Sequence, residues 1–270
     1  MAVSNLYTLY AVDVDPITEA NALFADQVSN LRCSPGIAEA LRSSDGMVYP
    51  TFVAVMTQTP SLRFDSSAIA TILAKCGIEG IKIDSDGTHD GLEFFMQKLA
   101  EGSTRASGSA HGKFTVNEGI LVPRSLAASQ GGDATLSLEA AITYDGTNEP
   151  IVPAINQALI GTPSVGELFT VGPVKINGTL VDAIQSINVD FGIRLITKGG
   201  DGSVWPSYVA IMSIEPIITV RTLDAMALYT WGLDGTAQSA TDSLIYFRKK
   251  AEGSTNVADA TAEHVKIAVD

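Results

Sequence analysis

The sequence predicts a mainly β protein with some helix (α+β), folded as one β-rich domain over residues 1–270. Segments of alternating apolar and polar residues recur along the chain, and turn residues separate them. Helical periodicity is confined to a few short stretches. A chain of 270 residues can bury a sizeable core without disulfide bonds.

The segment "INVDFGIRL" at 187–195 illustrates this alternation, because an extended chain places successive side chains on opposite faces. One face is apolar and comprises Ile187, Val189, Phe191, Ile193 and Leu195. The other face is polar and comprises Asn188, Asp190 and Arg194. We expect a strand with one packed face and one face toward water or a partner.

The N-terminal part begins with a predicted strand, "LYTLYAVDV", at 6–14. A short helix is predicted over 15–31, where Asp15-Pro16 forms a suitable start and apolar residues follow at helical spacing. The β-branched and aromatic residues of 47–58 predict an extended segment with Pro50 near its start. The role of residues 1–47 stays open.

Two helices are predicted next as covers over a sheet. In "LRFDSSAIATILAKCG" at 62–77, Asp65 or Ser66 supplies a cap and Gly77 a stop. The apolar stripe of this helix comprises Ile69, Ile72, Leu73 and Cys76. The second helix begins near Asp90 and places Leu92, Phe95, Met96 and Leu99 on one face. A long exposed loop is predicted at 101–112, which is rich in small and polar residues.

The remainder of the chain is dominated by predicted strands, at 113–123, 134–144, 168–176, 179–198, 203–214 and 217–223. Asn177-Gly178 predicts a tight hairpin turn, and "KGGDGS" at 198–203 predicts another turn. Short helices are predicted after Pro153 (153–161) and over 223–231, before a final hairpin of "SLIYFRKK" with "AEHVKIAVD". We identify no internal repeat and no linker.

Charge and cysteine content restrict the class of protein. Seventeen basic against 30 acidic residues give a net charge of -13, which disfavours a sequence-specific nucleic-acid binder. Cys33 and Cys76 are interpreted as buried free thiols of a protein that folds in a reducing cytoplasm. No apolar run has bilayer length and the N-terminus lacks signal-peptide features, so we expect a soluble protein that is not exported.

No catalytic, cofactor or metal site is predicted, and we expect the protein not to be an enzyme. The histidines are His89, His111 and His264, and a Ser109/His111 pair lacks the G-x-S-x-G context of a nucleophile. Asp84, Asp86 and Asp90 resemble part of a calcium loop, but the position of the bidentate Glu is Gln97. A solvated turn is the favoured interpretation.

Other short motifs have structural interpretations. "KGGDGS" lacks the Lys-Ser/Thr of a phosphate loop, and the Asn177 sequon is explained by its turn. The basic run Phe247–Lys250 is interpreted as a solvated or salt-bridging strand end. The aromatic residues Trp205, Tyr208, Tyr229 and Trp231 are interpreted as core or interface residues, while stacking on a sugar or base is the alternative.

An acidic, β-rich chain with polar loops and no active-site residues is typical of a self-assembling structural subunit. Three segments resemble the major tail tube proteins of long-tailed bacteriophages: "LRFDSSAIATILAKCG", "VGPVKINGTLVDAIQSINVDFGIRL" and "DSLIYFRKKAEGS". The resemblance covers roughly residues 48–250.

This resemblance implies a β-sandwich or half-barrel flanked by one or more short helices, arranged as six copies per ring. Rings would stack through loops and arms, with 101–112 as the candidate inter-ring loop. The implied location is the phage tail of the virion, assembled in the host cytoplasm, and the implied partners are further copies and the tape measure, terminator and baseplate proteins. DNA would pass as non-specific cargo through an acidic bore.

Two alternatives stay open. Another virion protein, such as a tail terminator, baseplate or capsid decoration protein, would share this composition. A carbohydrate-binding or hydrolytic β-sandwich would use Trp205, Trp231 and the acidic cluster.

Overall fold

The computed structural model is a mainly β protein with one described helix. It describes residues 6–14, 24–25, 28–84, 91–99, 108–160, 168–200, 202–224, 226, 243–250 and 264–269. The mainly β class predicted from the sequence is confirmed.

Twenty strands and one helix follow one another in the described residues. In the first half they are β1 (Leu6–Val14), β2 (Phe24–Ala25), β3 (Val28–Ser34), β4 (Ile37–Arg42), β5 (Phe52–Gln58), β6 (Ser61–Ser66), α1 (Ile69–Cys76), β7 (Ile81–Ile83), β8 (Leu92–Leu99), β9 (His111–Val116), β10 (Gly119–Ser129), β11 (Thr135–Ile142) and β12 (Ile151–Gln157). In the second half they are β13 (Phe169–Ile176), β14 (Thr179–Val181), β15 (Ile184–Asp190), β16 (Ile193–Lys198), β17 (Tyr208–Ile214), β18 (Ile217–Thr222), β19 (Leu244–Lys249) and β20 (Val265–Ala268).

Three sheets share one hydrophobic core. The large sheet has the strand order β18-β15-β10-β11-β6-β3, with β7 beside part of β10. A five-stranded outer sheet has the order β12-β9-β8-β1-β2, and a four-stranded outer sheet has the order β14-β13-β19-β20. The core joins Phe64 of the large sheet to Phe94 and Phe247 of the two outer sheets. The Phe64 and Phe94 rings meet edge to face with centroids 5.6 Å apart.

Helix α1 adds Ile69, Ile72 and Cys76 to this core, as its spacing predicts. It is shorter than expected at its start, because 61–66 forms β6 and neither Asp65 nor Ser66 is its N-cap. The Ser66 hydroxyl oxygen instead accepts a hydrogen bond from the Ala68 N–H at 3.1 Å. Gly77 follows the helix with φ of 59° and ψ of -163°, a backbone conformation that is open mainly to glycine but is not the left-handed stop that we expected. Its N–H donates to the Leu73 carbonyl at 2.9 Å.

Three other predicted helices are wrong in the described residues. Residues 92–99 form β8, and the segment after Pro153 belongs to β12. Of the predicted helix at 15–31, residues 24–25 and 28–31 lie in β2 and β3, while the other positions lie outside the described residues. The predicted helix at 223–231 falls almost wholly outside the described residues.

Several strand predictions are confirmed. Strand β1 coincides with the predicted 6–14 segment, and Asn177-Gly178 joins β13 to β14 with positive φ at both residues. Strands β19 and β20 pair as the expected closing hairpin. In the 187–195 segment the predicted burial is correct, but the chain turns at Gly192 and separates β15 from β16.

An internal repeat organises the fold, so our expectation of no repeat is wrong. Strands β3, β4, β5 and β6 recur as β15, β16, β17 and β18, each shifted by 156 residues, as from Ile37 to Ile193 (193 minus 37). We call 28–66 the first module and 184–222 the second module.

The registers of the two hairpins, β4–β5 and β16–β17, agree residue by residue. The hairpin pairs Ile37↔Gln58 and Arg42↔Phe52 correspond to Ile193↔Ile214 and Lys198↔Tyr208. In both hairpins the strand-pairing register shifts at the equivalent step, after Ala38 and after Arg194. Segments 36–60 and 192–216 are identical at ten of 25 positions, including the D-G-x-V-x-P run at 45–50 and 201–206. The two modules therefore form an internal repeat in both sequence and structure.

The outer sheets repeat as well. The order β9-β8-β1-β2 in one corresponds to β20-β19-β13-β14 in the other. The central hairpin, β10–β11, is present once in the described residues, where it pairs with β15 on one side and with β6 on the other. It therefore joins the second module to the first.

Candidate assembly surfaces

The large sheet has two open edges, which are β3 and β18. Among the described residues, each of these strands has one neighbour, β6 for β3 and β15 for β18. All neighbouring strands along the six-strand path are antiparallel, so the two edge strands run in opposite directions. Open edges present unpaired N–H and C=O groups to another chain.

The hairpin of β4 and β5, which we call the first arm, exposes apolar side chains along its whole length. The strongly exposed members are Ile37, Leu41, Met47, Val48, Tyr49, Phe52, Val53, Val55 and Met56. Val48 is 89% exposed and Tyr49 is 77% exposed. Apolar residues concentrated in this way on a surface mark an interaction site more often than a solvated hairpin.

We call the hairpin of β16 and β17 the second arm. It contains the equivalent positions, and several of their side chains are partly buried. Val204, Trp205 and Val209, which correspond to Val48, Tyr49 and Val53, are half-buried. Trp205 packs on Tyr144 with ring centroids 5.0 Å apart, and the Tyr144 N–H donates to the Pro206 carbonyl at 2.8 Å. Tyr144 lies just beyond β11, so the end of the central hairpin covers part of the second arm. The second arm also contacts the end of the first arm, where the Gln58 N–H donates to the Val204 carbonyl at 2.8 Å.

The polar face of the large sheet forms an open groove of about 770 Å³. Its charged side chains are Arg32, Arg63, Arg124, Arg194, Asp65, Glu139 and Asp190. Glu139 accepts from Arg63 at 2.7 Å and from Arg124 at 3.0 Å. Four arginines face three carboxylates, so this groove has no acidic excess, and the acidic bore stays a prediction.

The polar residues of the 187–195 segment lie around this face as predicted. Asn188, Asp190 and Arg194 are exposed, and Asp190 and Arg194 line the groove. The Asp190 carboxylate accepts the Gly192 N–H at 2.9 Å and so supports the turn between β15 and β16. The segment therefore has both a packed face and an open face.

The candidate acidic cluster is only partly described. Asp84 is buried and forms an ion pair with Lys82 at 2.7 Å, whereas Asp86 and Asp90 lie outside the described residues. The pKa of Glu118 lies above its ordinary value. Burial is the main cause, Lys82 partly offsets it, and Asp145 and Asp84 add to it. In the described part of the chain, no group of three His, Cys, Asp or Glu side chains is arranged to hold a metal ion.

Two of the three histidines have the same role in the two outer sheets. The Lys98 N–H donates to Nδ1 of His111 at 3.0 Å, and the Lys249 N–H donates to Nδ1 of His264 at 3.1 Å. His111 is buried in β9, whereas Ser109 is exposed in the segment before it. The predicted loop at 101–112 therefore ends before His111, and its residues 101–107 lie outside the described residues, as does His89.

The remaining sequence motifs occupy structural positions. Tyr208 is exposed on the second arm, while Tyr229 and Trp231 lie outside the described residues. The basic run at 247–250 lies at the end of β19, with Phe247 buried and Arg248 exposed. Of 198–203, the described residues connect β16 to β17, as predicted for a turn.

The cysteine prediction is right for Cys76 and wrong for Cys33. Both are free thiols, and Cys76 is buried with its pKa raised by burial to about 12. Cys33 is exposed because it lies on the open β3 edge. Partial burial still raises the pKa of Cys33 above its ordinary value.

No protein-family model matches this sequence, and no curated protein matches it. No helix in the described ranges is long and apolar enough to cross a membrane. The two edges, the two arms and the polar face are the surfaces of the described molecule that are suited to contacts with a partner. Sequence reasoning missed the arms as interaction surfaces, although the repeated D-G-x-V-x-P run was a usable signal.

Proposed function

We propose that this protein is a structural subunit that assembles with further copies into stacked rings, forming the tail tube of a long-tailed bacteriophage. The observation that carries the proposal is the first arm, whose large apolar side chains are mostly exposed in the described molecule. Leaving so much apolar surface in water is unfavourable unless a partner covers it. The second arm demonstrates that the same hairpin accepts such a cover.

The open edges supply the direction of assembly. Because β3 and β18 are different surfaces of one molecule, contacts between copies through them are head-to-tail and close into a ring when the rotation allows. The polar face of the large sheet would then line the bore, where DNA passes without being bound specifically. Tape measure, terminator and baseplate proteins would be the further partners in the virion.

The repeat changes the expected stoichiometry. The resemblance to tail tube proteins implies six copies per ring, whereas each chain here contains two modules and two outer sheets. A ring of six modules needs three chains of 28.3 kDa in place of six. The mass of isolated rings distinguishes these two compositions.

The location of the protein in virions is the first test. Antibodies against the purified chain should decorate the phage tail along its whole length, and the copy number per particle should be high. Decoration of the head, or of one end of the tail at low copy number, would favour a capsid decoration, terminator or baseplate protein. Absence of the chain from virions would refute the proposal.

The first arm provides the second test. A variant carrying Val48→Ser, Tyr49→Ser and Val53→Ser is expressed during infection, and tails are examined by mass spectrometry for the substituted peptide. Leu180→Ser, which changes a residue 53% exposed outside the arm, is the matched control. We expect the control chain in tails and the folded arm variant to be excluded. Equal incorporation of both would contradict the role of the arm.

A further inference from the structure

We infer that the open β3 edge and the first arm together form a docking site for a β-hairpin of the β10–β11 type supplied in trans. The junction that the central hairpin already makes between the two modules is the pattern for this site. The inference rests on the proposed function and adds the chemistry of the partner segment. Strand addition at an open sheet edge is an established mode of recognition.

The internal junction has three parts. Strand β10 pairs with β15 in antiparallel register, for example Leu126 with Val189. The inward side chains of β15 are then covered, and Ile187 and Val189 are 1% and 2% exposed. Beyond β11, Tyr144 covers Trp205 of the second arm.

The first module has the same three parts without the cover. Strand β3 corresponds to β15. Of its inward residues, Leu31 is half-buried and Cys33 is exposed. Tyr49 corresponds to Trp205 and is 77% exposed. The same positions are thus closed where the hairpin is present and open where it is absent.

The β18 edge is also less buried than its counterpart in the first module, β6. Strand β18 corresponds to β6, whose outer neighbour is β11. Leu62 and Phe64 of β6 are buried, whereas the corresponding Ile218 and Val220 of β18 are half-buried. One hairpin can therefore complete both edges, with its β10 side against β3 of one copy and its β11 side against β18 of the next.

The partner segment is defined chemically by this comparison. It is an antiparallel hairpin with apolar residues on its inward face, as Leu126, Leu136 and Leu138 have in the central hairpin. An aromatic residue follows its second strand, at the position of Tyr144. A direct β3–β18 contact between copies supplies no such aromatic cover for Tyr49.

Cysteine chemistry provides the test, because Cys33 lies on the β3 edge and Cys76 is buried in the core. A synthetic peptide of residues 117–144 is added to the full-length folded chain, and alkylation of Cys33 by iodoacetamide is followed by mass spectrometry. We expect peptide binding to slow alkylation by about tenfold or more, because the bound strand must open before the thiol reacts. Hydrogen exchange at 28–34 and 217–222 should slow in parallel.

The control is the same peptide carrying Leu126→Asp and Leu138→Asp, which places charges on its inward face. This peptide should leave Cys33 alkylation unchanged. Cys76 should stay protected from alkylation, which indicates that the chain remains folded. Equal effects of both peptides, or no effect of the parent peptide at saturating concentration, would overturn the inference. Protection of both edges in peptide-free assemblies would also overturn it, in favour of direct β3–β18 pairing.

Failure of this inference is distinguishable from failure of the proposed function. A protein present along phage tails whose β3 edge ignores the hairpin peptide would keep the function and lose the junction. A chain that binds the peptide but is absent from virions would keep the junction and lose the function.

Discussion

The first arm and the second arm share their strand bounds, their register and their turn hydrogen bonds, but they differ in exposure. Thr51 N–H donates to Arg42 and Ser207 N–H to Lys198 at the same distance, 2.9 Å. Tyr49 is nevertheless open to solvent, while its counterpart Trp205 packs on Tyr144. Local sequence therefore determines the hairpin, while a neighbouring element determines how much of it is buried.

The largest expected effect comes from equivalent core positions on β6 and β18. Phe64→Ala should lower the free energy of unfolding by about 3–5 kcal/mol, because it removes a fully buried ring from the shared core. Val220→Ala, at the equivalent half-buried position, should cost about 1 kcal/mol. Urea unfolding of both variants measures the pair, and equal losses would contradict the assignment of β18 as an uncovered edge.

A glycine pair should show equal effects, because each residue acts inside its own module. Gly36 and Gly192 have φ of 57° and 60°, and an added Cβ would lie 2.2 Å from the Thr59 carbonyl oxygen and 1.9 Å from that of Glu215. Each glycine-to-alanine change should cost about 1–3 kcal/mol. Thermal unfolding measures both, and a large difference between them would break the equivalence of the modules.

An aromatic pair tests the cover of the arms. Trp205→Ala should cost about 1–2 kcal/mol, because it removes a half-buried ring that packs on Tyr144. Tyr49→Ala should change the stability of the isolated chain by less than about 0.5 kcal/mol, because the side chain is largely in water. Comparable losses in chemical unfolding would indicate that the first arm is covered in the isolated chain.

A pair of thiols should differ clearly in reactivity toward alkylation. The effect of the Val189→Cys substitution on stability should be the smallest of the four. Val189→Cys places a thiol at the counterpart of Cys33, where the central hairpin covers it. The introduced thiol should resist alkylation in the folded chain, whereas Cys33 should react. Because partial burial raises the pKa of Cys33 above its ordinary value of 9.0, its rate should keep rising above pH 9. A readily alkylated thiol at 189 would contradict the cover.

The helix prediction at residues 92–99 is wrong for a physical reason. Leu92, Phe95, Met96 and Leu99 match a helical spacing, but β8 lies between β1 and β9 in a sheet, and both of its faces are largely shielded. A strand shielded on both faces has no clean alternation, so its apolar residues fit either period. Pairing with distant strands, which local pattern does not contain, decides between the two.

Local sequence was sufficient to predict the mainly β class, strand β1, the Asn177-Gly178 turn, the closing hairpin and the end of α1 at Gly77, because each depends on neighbouring residues. Only the packed fold shows that Cys33 is exposed, that β8 and β12 are strands, and that the second arm is partly covered while the first is largely open. These outcomes depend on which segments meet across long separations in the chain. Burial is a property of the packed neighbour as much as of the residue itself.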